Sequence, residues 1–341
     1  MAGYAIGAEA RAFHEGLVVV DGHCDTILDV VGKAFENEGE PPRDFLARGA
    51  RGRLDLPRLV EGGVTCQIMA LFTNDASVAD ATPFTHGLID ALESVYARSE
   101  RFFRAEKAAE IARAKSEGRV ASLISIEGGE AIGGLDELRA FYSRGVRLMG
   151  LTWNRRNAIG RGAGSGDPAA DGAGGLTGFG RLVVAEMERL GMVVDASHLS
   201  DEALDDLLKI AQRPVVASHS NSRALCGHRR NLTDAQAEGI ARTGGLVGIC
   251  FAGIFVDSDP AKVTVSRIVD HAERLYRLLG PDHVGLGSDF DGFTEKFGIA
   301  LDSCAELPAL SAALLERGIP KADVAKIMGG NWLRVIRDIV G

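Results

Sequence analysis

Residues 192–220 read MVVDASHLSDEALDDLLKIAQRPVVASHS, and this stretch sets the pattern for the chain. Two short apolar, β-branched runs, Met192–His198 and Pro214–Ser220, flank a helical pattern over Asp201–Ile210. Ser200-Asp201 supplies an N-cap hydroxyl for that helix. Both runs are mainly apolar and carry Ser-His at their C-terminal ends. Strands of that character, alternating with helices, belong to parallel sheets covered on both faces.

Working outward, six more runs repeat the pattern: Leu17–Asp25, Val64–Phe72, Val120–Gly128, Val146–Asn154, Gly245–Phe251 and Val284–Asp291. Helical patterns lie between most of them, at Thr85–Glu117, Gly134–Ser143, Phe179–Leu190, Asp234–Thr243, Val265–Leu279 and Cys304–Glu316. Thr233-Asp234 is a further helix start, and Leu190-Gly191, Leu279-Gly280 and Arg317-Gly318 are helix stops. Eight strands alternating with helices predict an α/β fold, a closed (β/α)₈ TIM barrel, with an open doubly wound sheet as the alternative. Gly32–Pro57 breaks the alternation as a β1–α1 insertion near the mouth, and Gly160–Gly178 is a second irregular, Gly-rich loop. Pro320–Val340 reads as one or two closing helices. Composition does not shift along the chain, so residues 1–341 are expected to form a single domain.

Hydrophobic residues make up 46% of the chain and charged residues 25%, enough for a large core and against disorder. A net charge of −9 with scattered Lys and Arg argues against a nucleic-acid partner. No apolar run approaches a membrane span, and the N-terminus lacks the charged-then-apolar order of a secretory signal. Cys24, Cys66, Cys226, Cys250 and Cys304 contain no CxxC, which disfavours a disulfide framework or zinc knuckle and fits a reducing, cytoplasmic setting.

The potential ligands sit at strand ends, which in a barrel converge on one mouth. Asp21-Gly22-His23-Cys24-Asp25 ends the first run, and alternation places His23 and Asp25 on one face to grip one ion. Cys24 is expected to face the other way. Glu127 ends the third run, before Gly128-Gly129, where a carboxylate can bridge two cations. His198 and His219 end neighbouring strands, and neutral imidazole suits zinc-like ions. Gly287-Ser288-Asp289-Phe290-Asp291 ends the last run; Asp289 is the expected general base or proton shuttle, with Asp291 its competitor. These residues supply two His–carboxylate sites sharing Glu127. Two adjacent cations lower the pKa of a bridging water toward ~7 and polarise a carbonyl, which suits hydrolysis of an amide, ester or peptide. His14, His86, His271 and His283 fall in helices or before strands and are read as structural or exposed. The Gly-rich loop lacks a GK[ST], and no Gly-x-Ser-x-Gly elbow occurs. His228-Arg229-Arg230-Asn231 offers a guanidinium to clamp a carboxylate, or else a solvated basic loop.

DGHCDT, SIEGG, LTWN, DASHLSDEAL, VVASHSNSRALCGHRRNLTD and GLGSDFDG, in that order, cover nearly the whole chain. With them the sequence resembles the membrane (renal) dipeptidases, peptidase family M19, of amidohydrolase type, in a soluble bacterial version. The resemblance implies a binuclear zinc site that cleaves dipeptides, some with a C-terminal D-residue. It assigns His23, Asp25 and Glu127 to one metal, and Glu127, His198 and His219 to the other. It makes Asp289 rather than Asp291 the acid/base, and Arg230 the group that recognises the substrate carboxylate. Family members carry His after Leu-Thr where this chain has Trp153, a substrate contact without an acceptor or a titratable proton. The implied partners are small dipeptides, with a homodimer as a further expectation and no nucleic acid or membrane. The alternatives are the same metal barrel acting on another amide, a lactone or an ester, and a non-catalytic scaffold, against which the complete ligand set argues.

Overall fold

The apolar runs form the staves of a closed parallel barrel in the computed structural model, which describes residues 6–33, 40–164 and 172–341. The strands are β1 (Val19–Asp21), β2 (Val64–Phe72), β3 (Phe102–Arg104), β4 (Val120–Glu127), β5 (Val146–Gly150), β6 (Val193–Asp195), β7 (Val215–Ala217), β8 (Leu246–Ile249) and β9 (Val284–Leu286). Around the barrel they run β1-β2-β4-β5-β6-β7-β8-β9, and β9 pairs with β1 to close it. An open doubly wound sheet is therefore excluded. Most ladders are shorter than the apolar runs, because the last residues of each run leave the sheet and turn into the mouth. His23, His198 and His219 all lie beyond their ladders.

One expected element is corrected. Thr85–Glu117 is not one helix but a helix Ala81–Ala97, the short strand β3, and a second helix Ala108–Glu117. Ser99 Oγ accepts from the Arg101 and Phe102 amides and turns the chain. Phe102 is then fully buried, its ring 4.7 Å from Phe45 and 5.3 Å from Tyr96. Those tertiary contacts override the helical spacing. β3 also fills a gap: β5 pairs with β4 only from Ile124, and β3 covers the Val120–Ser122 edge left open.

Other local readings hold. Ser200 Oγ accepts from Ala203 N at 3.1 Å, and Thr233 Oγ1 from Gln236 N at 3.3 Å. Gly191 and Gly318 end helices at φ 77° and 78°. All five cysteines are buried free thiols, and Cys24 Sγ turns to Met69 Sδ. Of the two irregular segments, Gly32–Pro57 and Gly160–Gly178, residues 34–39 and 165–171 (with Gly166) lie outside the described residues. Among the described residues no helix is long and apolar enough to cross a membrane.

The barrel interior is closed from below by the C-terminal helix Asn331–Ile339. Trp332, fully buried, packs with Val20, Ile68, Leu148, Val216 and Leu246, and its Nε1 donates to Leu286 O at 2.7 Å. A Cβ on Gly22 would lie 2.3 Å from that indole, so the residue before His23 has room only for hydrogen. Apolar side chains thus fill the base of the barrel and leave the polar run-ends for the other end.

Candidate metal centre

Six of the expected residues meet at the mouth: His23, Asp25, Glu127, His198, His219 and Asp289, all at most 7% exposed. Glu127 sits at their centre. Its Oε1 lies 2.9 Å from His198 Nε2 and 3.8 Å from His219 Nε2, and its Oε2 lies 3.3 Å from His23 Nε2. Each oxygen therefore addresses a different imidazole group. His23 Nε2 is also 3.5 Å from Asp25 Oδ2 and 3.9 Å from Asp289 Oδ1. In each of the triads His23–Glu127–His219 and His23–Asp25–Asp289 the donor atoms lie within 4.8 Å of one another. The His23 and His219 rings stack at 3.8 Å.

Three of the positions around this site are held in the left-handed region that side chains rarely adopt: His198 at φ 69°, Asp289 at φ 66° and Asp291 at φ 65°. Tight turns, not strand alternation, aim these side chains. Asp289 and Asp291 consequently diverge. Asp289 lines the cavity, whereas Asp291 accepts from Thr26 Oγ1, Arg43 Nη2 and Arg53 N and serves as a support.

Hydrogen bonds behind the histidines set their tautomers. Asp195 Oδ1 accepts from the Ser197 and Ser218 amides, and its Oδ2 accepts from Ser218 Oγ at 2.5 Å. With its proton committed to Asp195, Ser218 Oγ must accept from His219 Nδ1, 2.8 Å away. His198 Nδ1 donates to Asn154 Oδ1 at 2.9 Å. Both Nε2 atoms then carry bare lone pairs, 2.9 Å apart. Two lone pairs facing each other repel unless a cation lies between them, and this carboxylate-relay arrangement behind an imidazole is typical of metal-ligating histidines. Across the barrel Asp21 likewise accepts from Ser288 N and Oγ, pinning the segment just before Asp289. Asn154, Asp195, Ser218 and Asp21 escaped the sequence reading as functional residues, although each lies within three residues of an expected site residue.

The electrostatics also ask for positive charge. Burial alone pushes the His23 imidazole down, but Glu127 and Asp25 outweigh it and hold it well above its ordinary value. Burial raises Glu127, yet His23 and His198 hold it well below the carboxylate range. Burial lowers His198 to about 3 and keeps His219 well below its usual value, so both are neutral donors. Asp289 is pushed up to about 6, chiefly by burial and by Glu127, against the pull of His23 and Arg230. His23 Nε2 and Asp25 Oδ1 have no hydrogen-bond partner. An ionised Glu127 between the neutral, tautomer-fixed His198 and His219, with a His23 that draws positive charge and with orphaned buried atoms beside it, is a donor set that fits divalent cations.

The remaining expected residues flank this centre. Trp153 lines the cavity, its ring 5.2 Å from Phe72 and 5.9 Å from His198. Arg230 is 4% exposed, donates to His219 O at 3.2 Å, and packs 5.3 Å from the Phe255 ring. Its Nε has no partner, and Phe255, not Arg230, forms the cavity wall there. His14, His86, His271 and His283 lie away from the centre; His14 joins Ser311 to Gly62 O, and His271 joins Ser222 N to Val256 O.

A family model described as membrane dipeptidase, peptidase family M19, matches residues 7–340. The chain is similar to dipeptidase tcpJ of Claviceps purpurea, with 36% identity over 330 residues, 94% of this chain and 76% of that protein. Among solved structures it is similar to dipeptidase AC, a family M19 metallopeptidase, at 32% identity and TM-score 0.83, covering 95% of this chain and 99% of that one. It is also similar to a metallopeptidase from Rhodobacter sphaeroides bound to a phosphinate mimic of the dipeptide L-Ala-D-Ala. There the identity is 31%, the TM-score 0.84, and the coverage again 95% of this chain and 99% of that one.

Proposed function

The chain belongs to the membrane dipeptidase family, peptidase family M19, and is a hydrolase; from that premise we propose that it cleaves the peptide bond of dipeptides at a binuclear zinc centre. His23, Asp25 and Glu127 hold one ion, and Glu127, His198 and His219 hold the other. The observation that carries this reading is the Glu127 carboxylate, whose two oxygens turn to separate imidazole groups. When bound, such a pair of ions supplies an acidified water and a polarised carbonyl.

The chain's own residues do the rest. Asp289 Oδ1 lies beside the proposed ligands, and its raised affinity for a proton lets it take one from the attacking water and return it to the leaving amine. Arg230, whose buried Nε has no partner, is assigned to the free carboxylate of the substrate, which it would reach from behind Phe255. Trp153 packs against the substrate side chain and excludes water. The whole chain works as one catalytic barrel domain.

A second reading, the same centre acting on another amide, a lactone or an ester, is favoured by one observation: among the described residues no Lys or Arg is on the cavity wall to meet a free carboxylate directly. One experiment separates them. Purified protein is analysed for metal and assayed against L,L- and L,D-dipeptides and a set of lactones, with His219→Ala alongside. The expected result is stoichiometric zinc, dipeptide cleavage, and loss of both metal and activity in the variant. Turnover confined to lactones would favour the second reading, and full turnover by metal-free protein would refute both.

A further inference from the structure

Resting on the dipeptidase reading, we propose that this enzyme selects dipeptides bearing a large apolar side chain, and that Trp153 is the residue that sets this preference. The cavity that opens on the candidate metal centre holds about 190 Å³. Phe72 and Trp153 line it where β2 and β5 end, and Ile254, Phe255, Phe293 and Phe297 line it beyond β8 and β9. Among the described residues its ionisable wall groups are Asp25, Glu127, His198 and Asp289, all in the cluster assigned to the metals. The rest of the described wall gives a charged substrate side chain nothing of opposite sign to pair with, and an unpaired buried charge is costly. A sealed apolar cavity of ~150 Å³ takes up benzene; this cavity is partly open and also borders the metal centre, so its aromatic wall rather than its volume favours a benzyl or branched aliphatic group.

The wall is built, not collapsed by chance. The Arg155 guanidinium stands 5.1 Å from the Trp153 ring and 5.7 Å from Phe72. Arg155 is fixed in turn by Asp75 at 2.6 Å, by Glu130 at 3.0 Å and by Thr73 O. The indole is thereby clamped from behind before any substrate arrives, which lowers the entropy lost on binding. On the other side, a Cβ on Gly253 would lie 2.2 Å from Phe297 O, so the helix Gly253–Val256 and the Phe297 segment are in direct backbone contact. Phe293 is likewise held, 5.4 Å from the Arg53 guanidinium.

The test is a comparison of kcat/KM across the series X-Ala and Ala-X, with X as Ala, Leu, Phe, Asp or Lys. In at least one series, Leu or Phe is expected to exceed Ala by about 10- to 100-fold, with Asp and Lys below Ala. Trp153→Ala, and independently Phe297→Ala on the other wall, should each reduce the Phe-to-Ala ratio about tenfold or more in protein that retains its cooperative melt. Binding without turnover gives a second readout. The chain has two tryptophans, and Trp332 is sealed in the barrel base. Saturable change in tryptophan emission is therefore expected with the reduced-amide analogue of Phe-Phe and not with that of Asp-Asp. A flat profile, a preference for charged X, or a Phe-to-Ala ratio unmoved in Trp153→Ala would overturn the inference while leaving the dipeptidase reading intact. Failure to cleave any dipeptide would remove that reading, and the inference with it.

Discussion

Asp195 illustrates how much a single buried carboxylate decides. Its Oδ2 claims the Ser218 proton, and only for that reason does His219 keep its own proton on Nδ1 and leave Nε2 bare. In Asp195→Asn an amide NH₂ replaces the accepting oxygen. Ser218 then turns its proton toward His219 Nδ1, and the imidazole proton moves to Nε2, where it blocks a cation. Zinc affinity is expected to fall about 10- to 100-fold with the fold preserved; equal affinities by titration would show that the relay does not set the tautomer. The histidines themselves were legible because each ends an apolar run. The split between Asp289 and Asp291 was not legible from alternation, since both residues sit at positive φ, outside any strand geometry.

At the scale of elements, the β1–α1 insertion is tied to the far side of the mouth through Asp291. That carboxylate accepts from Arg43 Nη2 at 2.6 Å and from Arg53 N at 2.6 Å, while Arg43 also pairs with Asp29 at 2.7 Å. Asp291 and Arg43 side chains are 4% and 6% exposed. Removing one partner of a buried pair typically costs about 3–5 kcal/mol, and the surviving Asp29 contact places Asp291→Ala at about 3 kcal/mol. A thermal melt should show a fall of several degrees in Tm, with faster proteolysis in the 40–55 segment than elsewhere; an unchanged melt would mean that the insertion is anchored by other contacts. That the insertion reaches the mouth follows from its place after the first strand. That it is bolted to the last strand's loop depends on residues about 240 positions apart, which no local pattern encodes. The long helix expected over Thr85–Glu117 failed for the same reason: Phe102 fits the helical spacing, but its burial against Phe45 and Tyr96 belongs to the barrel.

Over the whole molecule, apolar packing closes one end of the barrel around Trp332, and the other end gathers acids. Asp25, Glu127 and Asp289 crowd a buried site, and their mutual repulsion opposes folding until it is neutralised. Removal of the proposed ions with a chelator is therefore expected to lower Tm by several degrees, and added zinc should restore it. A ligand at 1,000 times its Kd stabilises by about 4 kcal/mol, and a Tm insensitive to chelation would argue that the acids need no cation. The amino-acid sequence by itself determined the parallel barrel and the set of residues at its mouth, because period and strand-end position are local properties that survive without coordinates. Only the tertiary structure decided which acid faces the cavity, which nitrogen of each imidazole is free, and that aromatic rings wall the site. Those outcomes rest on backbone turns and on hydrogen bonds between segments far apart in the chain, which come into being only when the barrel closes.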